Sequence, residues 1–112
     1  MKLSEVLEIT GARCVVGEHL EQIEVNHAFA SDLMSDVLTM SRLDTLLITG
    51  LTTPQIIRTA QMLDLPAIIV ARGKEIPQEV IDLARSTGIV LLATQDIVYV
   101  VSGKLYARGL SG

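Results

Sequence analysis

From residue 45 onward the chain alternates short unbroken apolar runs with longer amphipathic stretches. Residues 45–48, 67–70 and 89–92 are almost wholly aliphatic. Strands covered on both faces read this way, and they imply a parallel sheet. Between them, residues 54–64 carry Ile56, Ile57, Ala60 and Leu63 at helical spacing, and residues 77–87 carry Val80, Ile81 and Ala84, so each crossover holds a helix. Pro54 suits a first helical position and Gly88 a helix end. A right-handed βαβαβ core over residues 45–93 follows. The predicted fold class is α/β: a small three-layer domain, its central mainly parallel sheet flanked by helices.

The first half is less regular. Ser4 is a candidate N-cap for a short helix bearing Val6, Leu7 and Ile9 that Gly11 would end, and residues 12–16 read as a strand. The polar, acidic residues 17–24 read as a loop. Ile23, Val25 and His27 alternate with polar neighbours, as in a half-buried strand. Ser31 is placed to cap a helix with Leu33, Met34, Val37 and Leu38 on one face and Asp32, Ser35, Asp36 and Thr39 on the other. At the far end, the β-branched content of residues 97–101 suits a strand. The spacing of Ile97, Val98, Val101 and Leu105 instead suits a helix, and Thr94-Gln95-Asp96 is a helix entry, which favours the helix.

With 112 residues, the chain is one domain, residues 1–112, able to bury a core unaided. Aromatics are only Phe29, Tyr99 and Tyr106, too few for a base-stacking platform. The net charge is −4, which argues against phosphate-backbone binding, so no nucleic acid is expected. Acids crowd residues 1–36, as a solvated face or a docking surface for a basic partner. Cys14 is the single cysteine and reads as a small buried hydrophobe. No signal peptide or membrane-length apolar run is visible, so the expected setting is the cytoplasm. Mean hydropathy is +0.46, high for a small domain. That favours a homodimer, with the last segment (Val98, Val100, Val101, Tyr106) or the N-terminal half supplying the apolar patch.

Chemistry is sparse. Parallel strands would bring their carboxyl ends to one edge, where open α/β sheets bind ligands. That edge collects Thr49, Gly50, Thr52 and Thr53 from the first turn, Arg72 with Gly73 and Lys74 from the second, and Thr94 with Gln95 from the third. Hydroxyls, backbone donors and an arginine fork could hold a small anion there. The competing reading makes Thr53 and Thr94 helix caps, Arg72 a solvated loop residue and Gly50 a relief of backbone strain. No phosphate fingerprint occurs. Asp32 and Asp36, four apart, could serve acid–base or cation chemistry. Asp32 in a first helical turn and a solvated Asp36 explain them as well. His19 reads as exposed and His27 as a hydrogen-bonded structural histidine. No nucleophile–base set or metal spacing is present; no catalytic residue, metal or cofactor is expected.

The segments Leu3-Ser4-Glu5-Val6-Leu7, Ser31-Asp32-Leu33-Met34-Ser35-Asp36-Val37-Leu38, Leu47-Ile48-Thr49-Gly50, Pro54-Gln55-Ile56-Ile57-Arg58-Thr59-Ala60, Val70-Ala71-Arg72-Gly73-Lys74 and Ala84-Arg85-Ser86-Thr87-Gly88-Ile89 form one pattern. Together they resemble the DRTGG-domain family, in particular its small stand-alone members and the N-terminal domain of HPr kinase/phosphorylase. Thr49-Gly50 matches the family's Thr-Gly. Leu51 stands in place of its second glycine, and Ser41-Arg42 is nearest to its Asp-Arg pair. The resemblance implies a non-enzymatic regulatory or protein-interaction module, accessory to a redox or hydrogenase complex, or to a phosphotransfer system, through a partner enzyme. The alternative is a sensor domain for a small anionic ligand, a nucleotide or phosphorylated metabolite, at the strand carboxyl ends.

Overall fold

Four parallel strands form the middle of the molecule, and a fifth closes one edge in the opposite direction. The structure, a computed structural model, describes residues 1–40 and 42–112, with Met40 described in its backbone only. In chain order the elements are α1 (Leu3–Thr10), β1 (Arg13–Val16), a single 3-10 turn (Leu20–Gln22), β2 (His27–Ala30), α2 (Met34–Met40), β3 (Thr45–Thr49), α3 (Pro54–Met62), β4 (Ala67–Val70), α4 (Gln78–Thr87), β5 (Val90–Ala93) and α5 (Val98–Ala107). The sheet order is β1-β5-β4-β3-β2. Neighbours from β2 through β5 run parallel, and β1 pairs antiparallel with β5, Arg13 opposite Ala93.

Strand periodicity divides the core into two layers. Leu47, Ile68, Val70 and Leu91 face α2, α3 and α4, meeting Met34, Val37, Ile56, Ile57, Ala60, Val80 and Ala84. Leu46, Ile48, Ile69 and Leu92 face the other way, meeting Leu3 and Val6 of α1 and Val101 and Leu105 of α5. Every residue of β3, β4 and β5 is buried, as unbroken apolar runs require. The α/β class and the βαβαβ core stand as predicted, and residues 98–107 are helical. Gly11 and Gly88 end their helices left-handed, at φ 69° and 76°; only glycine adopts that conformation without strain.

Several local expectations are corrected. The strand read around Ile23, Val25 and His27 is displaced: β2 begins at His27 and aligns Ala28, Phe29 and Ala30 with Leu46, Leu47 and Ile48. Val25 is instead buried beside α1, its amide bonded to the Met1 carbonyl. Helix α1 starts one residue before Ser4, where the Lys2 amide donates to the Glu5 carboxylate at 3.1 Å. Cys14 is exposed, because it sits on the free edge strand. His27 is not a hydrogen-bonded structural histidine; its Nδ1 is buried with no hydrogen-bond partner among the described residues. Leu33 and Leu38 are exposed, leaving Met34 and Val37 as the buried residues of the predicted α2 face. Ser41, half of the Ser41-Arg42 pair noted above, lies outside the described residues. Among the described residues, no helix is long and apolar enough to cross a membrane.

Candidate functional site

The carboxyl ends of β2 to β5 and the start of β1 share one edge of the sheet. Thr49, the last residue of β3, is buried, and its hydroxyl donates to Asp32 Oδ1 at 2.9 Å. The Gly50 amide donates to the same oxygen at 2.7 Å. Two donors that the sequence offers to an external anion are therefore taken by the chain's own carboxylate. Asp32 is not in a helical turn, as read from the sequence. It lies in the loop between β2 and α2, where the Ser31 Oγ accepts the Leu33 amide at 3.0 Å and α2 begins only at Met34. Asp32 and Asp36 thus form no pair on one helix face.

The Gly50 amide holds the Asp32 carboxyl below its ordinary pKa. Partial desolvation opposes it; the Thr49 hydroxyl and the charges of Arg72 and Lys74 reinforce it. Arg72 completes the cluster. Its Nη2 donates to the Gly50 carbonyl at 3.4 Å and lies 4.0 Å from Asp32 Oδ2. Both distances are long, and the side chains of Arg72 and Asp32 remain 45% and 50% exposed, so the arginine is positioned without being consumed. Gly50 serves this approach rather than relieving a strained turn. A Cβ there would fall 2.5 Å from Arg72 Nη2 and 2.8 Å from Nε.

Arg72 itself is left-handed, at φ 72°, and is followed by Gly73 at φ 64°. Such backbone costs a non-glycine residue about 1–2 kcal/mol. Two bonds hold it: the Arg72 amide donates to the Asp96 carbonyl at 2.7 Å and the Gly73 amide to the Thr94 carbonyl at 2.9 Å. The turn after β4 is thereby fastened onto the connection after β5.

The other predicted site residues divide. Thr53 occupies the N-cap position of α3, but its hydroxyl makes no capping bond; with Thr52 it borders the Gly50 turn. Thr94 does not cap α5, whose N-cap is Ile97; its hydroxyl accepts the Asp96 amide at 3.3 Å. Thr94 and Gln95 instead line a separate pocket with Gly11, Arg13, Gly73, Lys74 and Ala93. The predicted residues lie at the expected edge but do not enclose one cavity. Sequence reasoning missed Asp32 as a partner of Gly50, and Arg13. The acidic residue beside a Ser-initiated turn was the one available signal for Asp32. Among the described residues, no cluster of three or more metal-ligating side chains is present.

Where open α/β sheets bind ligands, they do so at this carboxyl edge. The chain belongs to the DRTGG-domain family, whose model matches residues 5–106. No curated protein matches the sequence. Among solved structures, it is similar to the CBS and DRTGG domains of the regulatory region of a Clostridium perfringens pyrophosphatase, complexed with the activator diadenosine tetraphosphate. The TM-score is 0.71 at 16% identity, over 93% of this chain and 45% of that one. This chain thus spans less than half the length of that neighbour. The family match covers the Thr-Gly of β3. No Asp-Arg pair precedes it in sequence, yet in space an aspartate and an arginine both contact it.

Proposed function

We propose that this chain is a non-catalytic regulatory module that binds a small anion at the carboxyl ends of β3 and β4 and reports its presence to a partner enzyme. One observation carries the reading: Arg72 is kept in a strained left-handed backbone, aimed across Gly50, with only weak internal partners. Strain held in place by surrounding bonds is concentrated at binding sites. An anion entering beside Thr52 and Thr53 competes with Asp32 for the Arg72 fork, which suits phosphate or carboxylate. Asp32, Gly50 and Arg72 belong to three different connections, so that exchange alters how they are tied together.

The neighbour's complex with diadenosine tetraphosphate supports a nucleotide-like ligand. The setting proposed for it is the cytoplasm, and a redox or phosphotransfer partner rests on the family resemblance alone. A second copy of the chain is the proposed occupant of the outer face of α5. There Tyr99 and Tyr106 are 83% and 72% exposed and flank Gly103, whose missing side chain leaves open space. A two-fold partner offers the same ring and the same gap.

The test is thermal stabilisation by diadenosine tetraphosphate, adenosine monophosphate and acyl phosphates, with wild type and Arg72→Ala side by side. Stabilisation that Arg72→Ala abolishes supports the site; stabilisation that survives it overturns the site.

A further inference from the structure

The pocket beyond the Arg72 turn has a different character. It is lined by Gly11, Arg13, Gly73, Lys74, Ala93, Thr94 and Gln95, and it encloses about 110 Å³. Its two cations come from the strands on either side of β5. Arg13 opens β1 and sits opposite Ala93 because β1 runs antiparallel to β5; Lys74 follows the left-handed turn after β4.

No Asp or Glu lines the pocket. Two acids adjoin the lining in sequence: Asp96 is held by Lys104 Nζ at 2.7 Å, and Glu75, exposed after Lys74, is not part of the lining. Among the described residues, neither Arg13 nor Lys74 lies within ion-pair distance of a carboxylate, whereas Arg72, Arg85 and Lys104 each do. Lys74 does lend some charge toward Asp32. Both cations are solvent-exposed, and together they give this hollow a positive potential that attracts an anion even in a chain of net charge −4.

The floor is also shaped. Gln95 folds over Gly73 so closely that a Cβ at that glycine would collide with its carboxamide oxygen. The carboxamide and the Thr94 hydroxyl supply neutral polar groups between the cations. Size then selects the ligand. Drug-sized pockets start at about 300 Å³, so this smaller hollow has room for a single tetrahedral group. Two full positive charges match a dianion better than a carboxylate.

We propose that Arg13, Lys74, Thr94 and Gln95 form a subsite for one phosphoryl group, supplied as free phosphate or as the terminal phosphate of a larger metabolite. It is separate from the Arg72 cluster and stands or falls on its own.

The experiment is an amide-resolved NMR titration of the whole chain at constant ionic strength, with inorganic phosphate, adenosine monophosphate and acetate. Phosphate moves the amides of Gly11, Gly73, Lys74 and Gln95, and acetate does not. Arg13→Ala/Lys74→Ala weakens phosphate binding about tenfold or more, the loss of a charge-assisted contact. Arg58→Ala/Arg108→Ala, which removes the same charge from exposed positions elsewhere, leaves it unchanged. A stronger effect from the nucleotide assigns the phosphoryl group to a nucleotide; equal effects assign it to free phosphate. Wild-type affinity in the double variant, or no response to phosphate, overturns the subsite. Shifts confined to Gly50, Thr52 and Arg72 overturn it while supporting the Arg72 site; shifts confined to the pocket do the reverse.

Discussion

The Asp32 carboxylate accepts the Gly50 amide at 2.7 Å across 18 residues of sequence. That bond joins the β2–α2 loop to the end of β3 and keeps Asp32 ionised. An acid whose folded pKa lies below its unfolded value adds stability that is complete above the unfolded pKa and is lost as pH falls through the folded one. With an unfolded value of about 3.9, the difference in melting temperature between wild type and Asp32→Asn is expected to be largest near neutral pH. It shrinks as pH falls below about 4. A difference independent of pH would count against this role for the carboxylate.

Gly50→Ala tests the Arg72 approach. The added methyl meets only the far end of a flexible side chain, so the guanidinium moves and the fold stays. Thermal stability is expected to change by no more than about 1 kcal/mol, while stabilisation by anions is lost. Retention of the anion response would show that Arg72 need not lie over Gly50.

Arg72→Gly and Arg72→Ala separate strain from binding. Both remove the guanidinium, but only glycine accepts the left-handed backbone without strain. Arg72→Gly is therefore expected to be more stable than Arg72→Ala by about 1 kcal/mol in urea denaturation, with both insensitive to anions. Equal stability would contradict the strain.

Ala60→Asp places a carboxylate on the fully buried face of α3. The expected destabilisation is about 3 kcal/mol or more, read from the urea midpoint. An unchanged midpoint would require α3 to face elsewhere.

Light scattering checks self-association. The wild type is expected to be dimeric at high micromolar concentration, with a melting temperature that rises with concentration, and Tyr99→Lys/Tyr106→Lys to be a folded monomer whose lower melting temperature is independent of concentration. A monomeric wild type removes the dimer.

The legible part of the fold was the part whose periodicity is local. β3, β4 and β5 are runs of Leu, Ile and Val, and Ile56, Ile57 and Ala60 repeat at helical spacing, so burial on both sheet faces could be read directly. β2 could not, because Ala28 and Ala30 carry little strand preference and their place is set by pairing with β3. The site was legible as an edge and not as an arrangement. Thr49, Gly50 and Arg72 announced themselves by chain position, but Asp32 meets them only through tertiary contact. Arg13 reaches the pocket only because β1 runs against its neighbour, a direction no spacing in the sequence encodes.

That reversal bears on how the molecule opens. β1 is an edge strand of four residues at the margin of the sheet, each of them exposed or half-buried. Elements held at a sheet margin are the first to detach in local unfolding. A phosphoryl group gripped jointly by Arg13 and Lys74 would clip this flap to the interior, slowing amide hydrogen exchange in β1 ahead of any change in the global melt. Occupancy would thus be written into the order in which the chain comes apart.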